Sequence, residues 1–511
     1  MMQTITQPFR IKELGRVKEV KKFIVKVKGL PSCMNGQLVN FRDGTKGLVM
    51  GFNDEETLVI VLGYESRVRI GDEVISESNV FAVPVSDGLI GRVVNAQGEP
   101  ADGKGAIQLS AISRQPSAKD FKLKAESRQL RADYYPIFRE AAPTMERGDV
   151  NEQLETGIKI IDTLIPVAKG QRMLVFGDRM SGKTSIATDA IINQKAKDVV
   201  CIYCSIVKSY SSLLKAVQLL KKYEALDYTL VVAAGASSSC AEQYLAPYTA
   251  TAIGEYFMDK GQDVLLIFDD LTKHAWSYRQ LSLLLERPPG REAYPGDIYY
   301  IHSQLLERGG RLSEEKGGGS ITSFVIADTL QGDVAGYIPS NLISMLDGQI
   351  YLSTALFGEG FKPAVDFGLS SSIIGGKIQH PALKEVAGRL RVEYAQYKEL
   401  LKLTKLKGAL SPEAEAKIRR GEITSELLRQ NRNSPVSLPE QIMLFYALDR
   451  GVLDKLPDEE IKRLKKDFFA FVKQAKPGVI GELQQRQPLT KEITTELDEC
   501  LRKFFNIAIS S

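Results

Sequence analysis

The 511-residue sequence has no apolar run near the roughly 20 residues that a membrane-spanning helix needs. Its first residues, MMQTITQPFRIKELG, lack the apolar core of a secretion signal. It also lacks a block of one charge: 67 lysines and arginines face 63 aspartates and glutamates, and the net charge of +4 is spread along the chain. Such a dispersed charge disfavours nucleic acid as a partner. We therefore expect a cytoplasmic protein of several domains.

Cysteine is scarce as well, with five residues that are too few and too scattered for a disulfide framework. Cys201 and Cys204 form a C-x-x-C pair, but a zinc site needs a second ligand pair at comparable spacing and the sequence contains none. The surrounding DVVCIYCSIV has the continuous apolar character of a buried strand, where free cysteine behaves as a small hydrophobe. We predict no metal or redox role for this pair.

The hydrophobic pattern divides the chain into three regions. Short apolar segments separated by Gly, Asn and Asp clusters predict a small antiparallel β-barrel over residues 1–84. Between residues 85 and 369, strand-like runs such as RMLVF and VLLIF alternate with amphipathic stretches, which predicts a mostly parallel sheet flanked by helices. Residues 370–511 show 3.6-residue periodicity and many charges, which predicts a C-terminal α-helical domain. The expected fold is therefore multidomain.

The strongest motif is GDRMSGKT, which fits G-x-x-x-x-G-K-[ST] directly after the predicted strand RMLVF. Its glycines let successive backbone N–H groups face phosphates, and the following SIATDAII supplies a helix whose N-terminus favours negative charge. Lys183 is expected to neutralise the terminal phosphates and Thr184 to bind Mg²⁺. The central α/β domain is thus predicted to be a P-loop nucleotide-binding domain. Its predicted ligand residues are Gly177, Asp178, Arg179, Met180, Ser181, Gly182, Lys183 and Thr184.

A second magnesium ligand is expected in DVLLIFDD, where an apolar strand ends in Asp269 and Asp270. Ligands of open α/β sheets bind outside the carboxyl ends of the strands, which favours Asp269 as the ligand and Asp270 as a neighbour that orients the loop. An acidic helix cap without a ligand is the alternative, because carboxylates are common at such caps.

Over nearly its full length the sequence resembles the alpha subunits of F-type ATP synthases. The resemblance is carried by GDRMSGKT, LAPYTATAIGEYF, the segment from IFDDLTKHAWSYRQ to LLERGGRL, GDVAGYIPSNLISMLDGQIYL and PAVDFGLSSS. It implies a ring in which this chain alternates with catalytic beta-like subunits around a gamma-like shaft, with ATP or ADP and Mg²⁺ bound. It implies contact with a membrane only through other subunits, and therefore a cytoplasmic chain or one peripheral to the cytoplasmic face of the cell membrane.

The family comparison also bears on catalysis. Catalytic beta subunits carry a water-polarising glutamate, and alpha subunits a glutamine, at a position that here corresponds to Lys208 in CIYCSIVKSYSS. An ammonium group accepts no hydrogen bond and cannot orient the attacking water. We therefore expect a non-catalytic subunit of a proton-transporting ATPase or ATP synthase. Lys208 itself either contacts a phosphate or is a solvated loop charge.

Two departures from the family suggest a divergent assembly. Alpha subunits follow the signature PAVDFGLSSS with an arginine that reaches the neighbouring beta site, whereas this chain carries Ile373. Such a finger contributes about a thousandfold or more to turnover, and isoleucine lacks its charge and planar fork. Slow turnover on the partner is expected unless another cation, such as Lys377, substitutes. The barrel is also expected to begin near Gly15, which leaves a shorter leader than the family's.

These departures leave an alternative open: a structural alpha-like subunit of a specialised ATPase that drives mechanical work rather than proton-coupled ATP synthesis.

The resemblance also concerns the adenine end of the site, where family alpha subunits bring an arginine–proline pair and two glutamines to the base. This chain has Lys362 and Pro363, then Gln430 and Arg432. ATP binding with altered base contacts is therefore expected.

Two further readings compete with a nucleotide-binding alpha subunit. The chain could be a structural ring component whose nucleotide merely stabilises the native state by mass action. It could also be an independent hexameric ATPase, such as a termination helicase or a secretion-type ATPase. Those enzymes need a water-activating glutamate and an arginine finger of their own. This chain carries Lys208 and Ile373 at those two positions, which disfavours the second reading.

Overall fold

The computed structural model describes residues 13–53, 55–63, 68–107, 134–404 and 411–506. In chain order the strands are β1 (Glu13–Lys21), β2 (Ile24–Lys28), β3 (Gln37–Phe41), β4 (Lys46–Phe52), β5 (Thr57–Leu62), β6 (Glu73–Val80), β7 (Ala82–Pro84), β8 (Val93–Val94), β9 (Tyr134–Pro136), β10 (Gln153–Leu154), β11 (Val167–Ala168), β12 (Arg172–Gly177), β13 (Val199–Lys208), β14 (Thr229–Gly235), β15 (Asp263–Asp269), β16 (Gly310–Arg311), β17 (Ser320–Asp328), β18 (Gly348–Leu352) and β19 (Val365–Ser372).

The α-helices are α1 (Lys159–Leu164), α2 (Lys183–Ile192), α3 (Tyr210–Lys222), α4 (Cys240–Asp259), α5 (Leu271–Leu284), α6 (Ile298–Leu306), α7 (Tyr337–Met345), α8 (Thr354–Gly358), α9 (Pro381–Ala387), α10 (Leu390–Thr404), α11 (Pro412–Leu428), α12 (Leu438–Asp449), α13 (Asp458–Ala475), α14 (Pro477–Gln484) and α15 (Lys491–Phe505). Single 3₁₀ turns cover Asp87–Leu89, Thr144–Glu146, Ala225–Tyr228, Arg291–Ala293, Glu314–Lys316 and Gly375–Lys377. The chain forms two compact units, residues 1–148 with 199–326, and residues 149–198 with 327–511.

The first unit contains a closed barrel of six strands in the order β1-β2-β5-β4-β3-β6. All of its neighbouring strands are antiparallel. From Leu14 to Lys18 the positions of β1 alternate between exposed and buried, whereas all six side chains of β5 are buried. This alternation follows from the period of two along a strand. The barrel core is built from Val17, Val25, Val27, Val39, Phe41, Val49, Val59, Val61 and Val74.

A parallel sheet forms the rest of this unit's core. β13 pairs in parallel with β14 and with β15, and β15 pairs in parallel with β17, while β8 extends the sheet beside β14. The helix α4 packs on β13, β14 and β15. Strands covered on both faces read as continuous apolar runs, and β13 is buried from Val199 to Ile206. The two cysteines of the C-x-x-C pair lie inside this buried run, where burial raises the pKa of both thiols.

The second unit combines a smaller sheet with a helical region. β12 pairs in parallel with β18, and β18 pairs with β19 in the antiparallel sense. The helices α9 to α15 pack on one another, with α9 against α12 and α13 against α11, α14 and α15. In α13 the buried side chains recur at helical spacing and the charged ones lie between them. These buried side chains are Ile461, Leu464, Phe468 and Val472.

The fold class expected from the sequence is confirmed, with an N-terminal β-barrel, a central α/β domain with a mostly parallel sheet and a C-terminal helical domain. The expected leader ahead of the barrel lies largely outside the described residues. Within the described ranges, none of the helices combines the length and the apolar character needed to cross a bilayer.

Candidate nucleotide-binding site

The predicted phosphate-binding loop joins β12 to α2 in the second unit. Gly177 ends the strand with φ +152°, and a Cβ there would lie 2.4 Å from the Leu352 carbonyl oxygen. Gly182 precedes the helix with φ +107°, in the left-handed region that favours glycine. Both glycines are therefore required by the turn. The helix starts at Lys183, so its first N–H groups face the loop, as anion binding at a helix N-terminus requires.

One buried polar atom in this loop has no hydrogen-bond partner within the described part of the chain. The Ser181 side chain is 1% exposed, and its hydroxyl makes no hydrogen bond to any residue that the structure describes. A buried hydroxyl without a partner is costly, and such groups call for a bound ion, a water or a ligand. An anionic oxygen in the loop would satisfy it, so the residues present fit a phosphate group.

Lys183 is buried and folded into its own loop. Its Nζ donates to the carbonyl oxygens of Gly177 at 2.8 Å and Asp178 at 2.6 Å. It also forms an ion pair with Asp328, with Nζ 3.0 Å from Oδ1. The carboxylate therefore compensates the charge of the lysine. Asp328 was missed in the sequence, although it ends the apolar strand ITSFVIAD just as Asp269 ends its strand.

The Asp178 carboxylate accepts hydrogen bonds that hold the phosphate-binding loop in place. It accepts hydrogen bonds from the Thr329 hydroxyl at 2.6 Å, from the Gly332 N–H at 2.8 Å and from the Thr354 hydroxyl at 3.0 Å. Burial raises the pKa of Asp178, but these three donors and the charge of Lys183 together leave its pKa below the ordinary value. The side chain of Asp178 is thus engaged with protein groups, and its backbone remains the part that a phosphate would meet.

The remaining predicted loop residues differ in exposure. Arg179 is exposed, and its Nε lies 3.7 Å from Asp328 Oδ2. Met180 is almost fully exposed and adopts a left-handed conformation with φ +66°. Thr184 lies half-buried in the first turn of α2. Lys183 and Thr184 thus occupy adjacent positions at the start of the helix, as the motif predicts.

The first unit places Lys208 and Asp269 together. Each is the last residue of its strand, β13 and β15 respectively, and the two side chains form an ion pair. The same carboxylate oxygen, Oδ2, accepts a hydrogen bond from the Tyr203 hydroxyl at 2.7 Å. Burial and the neighbouring carboxylate raise the pKa of Tyr203 well above its ordinary value, so the phenol stays protonated and donates. Asp269 is 1% exposed, and both of these donors converge on it.

A bulge in β13 directs Lys208 to this carboxylate. The register of β13 with β14 shifts between Ile206 and Lys208, so Val207 is an extra residue. Val207 has φ +55°, a left-handed conformation that is unfavourable for a β-branched side chain. In a regular strand, Tyr203 and Lys208 would lie on opposite faces, because they are five residues apart and side chains alternate. The bulge at Val207 changes this alternation, and both side chains reach Asp269.

This pairing bears on the predicted magnesium site. A divalent cation needs uncompensated oxygen ligands, and the charge of Asp269 is compensated by Lys208. The carboxylate as it stands does not fit Mg²⁺. The neighbouring Asp270 caps α5 instead: it accepts from the Lys273 N–H at 2.8 Å and pairs with the Lys273 ammonium at 2.7 Å. Within the described ranges, no cluster of three or more His, Cys, Asp or Glu side chains is arranged to hold a metal.

Two of the predicted adenine contacts are brought together in the second unit. The Gln430 N–H donates to the Lys362 carbonyl oxygen at 2.8 Å. The Gln430 side-chain amide, however, bonds to the backbone: its oxygen accepts from the Lys159 N–H at 3.0 Å, and its nitrogen donates to the carbonyls of Gly157 at 2.7 Å and Ser434 at 2.9 Å. The amide therefore holds this loop in place, a role that the sequence did not indicate.

The remaining residues predicted for the adenine contacts and for the arginine position are more exposed to solvent. The Lys362 ammonium lies 4.7 Å from the centre of the Phe357 ring, a cation–π contact at the surface. Pro363 is half-buried and Arg432 is exposed. Ile373, at the position of the family's arginine, is 80% exposed directly after β19. Lys377 is exposed in the turn that follows.

Comparison with known proteins covers nearly the whole chain. Three models of the ATP synthase alpha/beta family match: the beta-barrel domain over residues 11–78, the nucleotide-binding domain over 157–372 and the C-terminal domain over 379–504. An ATP synthase subunit alpha from Petrotoga mobilis is 44% identical over 501 residues, which cover 97% of this chain and 95% of that protein. One from Clostridium botulinum is 42% identical over 496 residues, with coverage of 97% and 94%.

Proposed function

The chain belongs to the ATP synthase alpha/beta family, on its alpha-subunit side, and from this we propose that it binds ATP or ADP without hydrolysing it. The observation that carries the proposal is a contrast within the chain. The phosphate-binding loop is complete, with a buried Ser181 hydroxyl that has no partner among the described residues, whereas Lys208 stands where a water-orienting carboxylate is required. The chain thus has the loop that nucleotide binding requires and lacks the carboxylate that hydrolysis requires.

In this proposal the loop exchanges protein partners for phosphate oxygens. Lys183 leaves Asp328 for the terminal phosphates, and the Ser181 hydroxyl gains its missing partner. The first N–H groups of α2 add the favourable electrostatics of a helix N-terminus. Thr184 is the protein ligand that we propose for the Mg²⁺ of the nucleotide. The second ligand predicted from the sequence, Asp269, carries a compensated charge and is disfavoured for that role.

We propose a catalytic beta-like subunit as the ring partner and a gamma-like subunit as the shaft. The support is family membership and the name ATP synthase subunit alpha that the relatives carry. The nucleotide site of this chain then serves assembly or regulation, and turnover occurs on the partner.

The alternative, a specialised ATPase that performs mechanical work, is favoured by Ile373. An exposed isoleucine supplies no charge to a neighbouring phosphoryl-transfer site, and this disfavours fast turnover of the ordinary type. The two candidates are separated by reconstituting the complete complex in vesicles. Proton-driven ATP synthesis would support the ordinary synthase, and its absence beside sustained ATP hydrolysis would support the alternative.

The non-catalytic role is tested by measuring ATP hydrolysis with the purified chain, and with its complex with the beta-like partner. We expect hydrolysis only in the complex, and robust turnover by the chain alone would overturn the proposal. Binding is tested with a fluorescent ATP analogue. Lys183→Ala should lower the affinity about ten- to hundredfold, the worth of a hydrogen bond to a charged group. The control is Lys260→Ala, which removes a surface lysine paired with Asp87 and should leave binding unchanged.

The same variant separates a binding role from a purely structural one. If Lys183→Ala prevents assembly with the partner, the nucleotide stabilises the ring. If assembly and the partner's turnover persist while this chain loses its nucleotide, the site has a role other than assembly.

A further inference from the structure

One wall of the candidate site connects the phosphate-binding loop to Lys362, within the second unit. It begins at Thr354, the first residue of α8, whose hydroxyl donates to the Asp178 carboxylate at 3.0 Å. Phe357 lies in the same short helix and is 38% exposed, and the Lys362 ammonium lies 4.7 Å from the centre of its ring. This wall therefore joins the loop to an exposed aromatic ring and a cation.

A second wall of the same unit leads from α2 to the same place. The Asn433 N–H donates to the Asp189 carboxylate of α2 at 2.8 Å, and the Gln430 N–H donates to the Lys362 carbonyl oxygen at 2.8 Å. Asp189 lies about 9 Å along the helix from Lys183, at a rise of about 1.5 Å per residue. A nucleotide with its phosphates in the loop spans such a distance, so its base reaches the place where the two walls meet. We call this place the base end; it comprises Phe357, Lys362, Gln430 and Arg432.

The polar side chains that remain available at the base end are both cations. The Gln430 amide is occupied by the backbone, because its oxygen accepts one hydrogen bond and its nitrogen donates two. Arg432 directly precedes Asn433 in the loop and is exposed, and its guanidinium forms no ion pair or hydrogen bond within the part of the chain that the structure describes. Lysine and arginine side chains only donate hydrogen bonds. The base end therefore offers a nucleotide side-chain donors from Lys362 and Arg432.

Donors of this kind distinguish between purine bases. Adenine presents an acceptor, N7, beside the donor N6–H₂, and a glutamine or asparagine amide matches this pair. Guanine and hypoxanthine present two acceptors on the same edge, O6 and N7, and the planar fork of an arginine matches these. The exposed Phe357 ring offers stacking to any base and does not discriminate.

We propose that the base end selects 6-oxopurine nucleotides, such as GTP and ITP, over ATP, and that Arg432 determines this preference. ATP still binds through its phosphates, but its exocyclic amine meets a donor. The proposal rests on the proposed function, because it concerns the base of the nucleotide whose phosphates the loop binds.

The experiment is isothermal titration calorimetry of the full-length chain with unlabelled ATP, GTP and ITP in excess Mg²⁺. We expect GTP and ITP to bind about tenfold more tightly than ATP, the usual effect of one good bidentate contact to a base. ITP shares O6 and N7 with GTP but lacks its 2-amino group. An affinity for ITP close to that for GTP therefore assigns the recognition to the O6 and N7 edge.

Arg432→Gln changes the donor fork into a group that also accepts. We expect this variant to bind GTP about tenfold more weakly and to bind ATP at least as tightly as GTP, because a glutamine amide matches adenine. Arg432→Lys keeps the charge and loses the planar fork, and it should lose most of the preference for GTP. This second variant separates bidentate recognition from simple charge attraction.

Arg429→Gln is the matched control. It makes the same change in the same loop, at a side chain whose Nη1 lies 3.4 Å from the Glu426 carboxylate, and it should leave the preference for GTP unchanged. Asn431→Ala removes a neighbouring exposed amide that can accept a hydrogen bond, and it should also leave the preference unchanged.

Equal affinities for GTP and ATP in the unchanged chain, or a preference for ATP, overturn the inference and leave the proposed function intact, because a nucleotide still binds. ITP that binds only as tightly as ATP, or an Arg432→Gln variant with the preference of the unchanged chain, overturns the inference in the same way. Absence of binding by all three nucleotides overturns both. A preference for GTP and ITP that disappears only with changes at Arg432 supports both.

Discussion

The Lys183 ammonium lies 3.0 Å from Asp328 Oδ1, so the lysine of the phosphate-binding loop already has an anionic partner within the protein. Both side chains are largely buried, which strengthens their interaction relative to a surface pair. A nucleotide must therefore compete with Asp328 for the lysine. It must also tolerate the negative charge of Asp328 near its own phosphates.

Removing that charge should tighten nucleotide binding. For Asp328→Asn we expect the affinity for a fluorescent ATP analogue to rise about fivefold, because a charge change near a bound anion is worth roughly 1 kcal/mol even when well screened. Asp333→Asn is the control, since the Asp333 carboxylate accepts a local backbone hydrogen bond from Ala335 and forms no ion pair within the described part of the chain. Weaker binding by Asp328→Asn would show that the carboxylate orients Lys183 rather than competing for it.

Ile373→Arg should restore an arginine at the position that the family uses. Because Ile373 is exposed, we expect stability to change by no more than about 0.5 kcal/mol. In the complex with the beta-like partner, steady-state ATP hydrolysis should rise about tenfold or more if the finger is missing. Val392→Arg, at another exposed apolar position, should have no such effect. No gain with Ile373→Arg would mean that another residue supplies the cation.

Acid should destabilise the first unit through His274 and His302. Burial lowers the pKa of His274 to about 4 and that of His302 to about 3, from an ordinary value of 6.5. The unfolded chain therefore takes up protons below pH 6.5 while the folded chain does not, so stability falls as the pH falls from 6.5 toward 4. At pH 5 each histidine should cost roughly 2 kcal/mol relative to pH 8.

The measurement is thermal unfolding from pH 8 to pH 5, followed by the fluorescence of Trp276, the one tryptophan of the sequence. His302→Phe preserves a ring beside His274 and removes a group whose Nδ1 has no partner among the described residues. This variant should show a shallower loss of stability with acid. An unchanged pH slope would contradict the assignment of the effect to His302.

Arg308 and Glu255 should show strong coupling. Their side chains are 1% and 3% exposed and form a bidentate pair with distances of 2.9 and 2.8 Å. Arg308→Met leaves a buried carboxylate without its main partner and should cost about 3–5 kcal/mol in unfolding free energy, whereas the double variant Arg308→Met with Glu255→Leu should recover most of the loss. Urea unfolding monitored by Trp276 fluorescence measures the unchanged chain and both variants. A double variant as unstable as Arg308→Met would show that packing, not charge, dominates.

The sequence by itself determined the domain layout and the phosphate-binding loop. Both depend on local patterns: the period of two or 3.6 along an element, and the glycines at positions 177 and 182 that the turn requires. It also located Asp269 at a strand end, because buried strands read as continuous apolar runs with polar residues at their ends.

Only the tertiary structure decided the partners of these residues. The pairing of Lys208 with Asp269 depends on an extra residue in β13, and one added residue reverses the face of everything after it. Lys183 pairs with Asp328, which ends a strand distant in sequence. The side-chain amide of Gln430 donates to the carbonyl oxygen of Gly157, which is also distant in sequence. Contacts of this kind depend on which distant segments of the chain pack together, and a local sequence pattern carries no information about that packing.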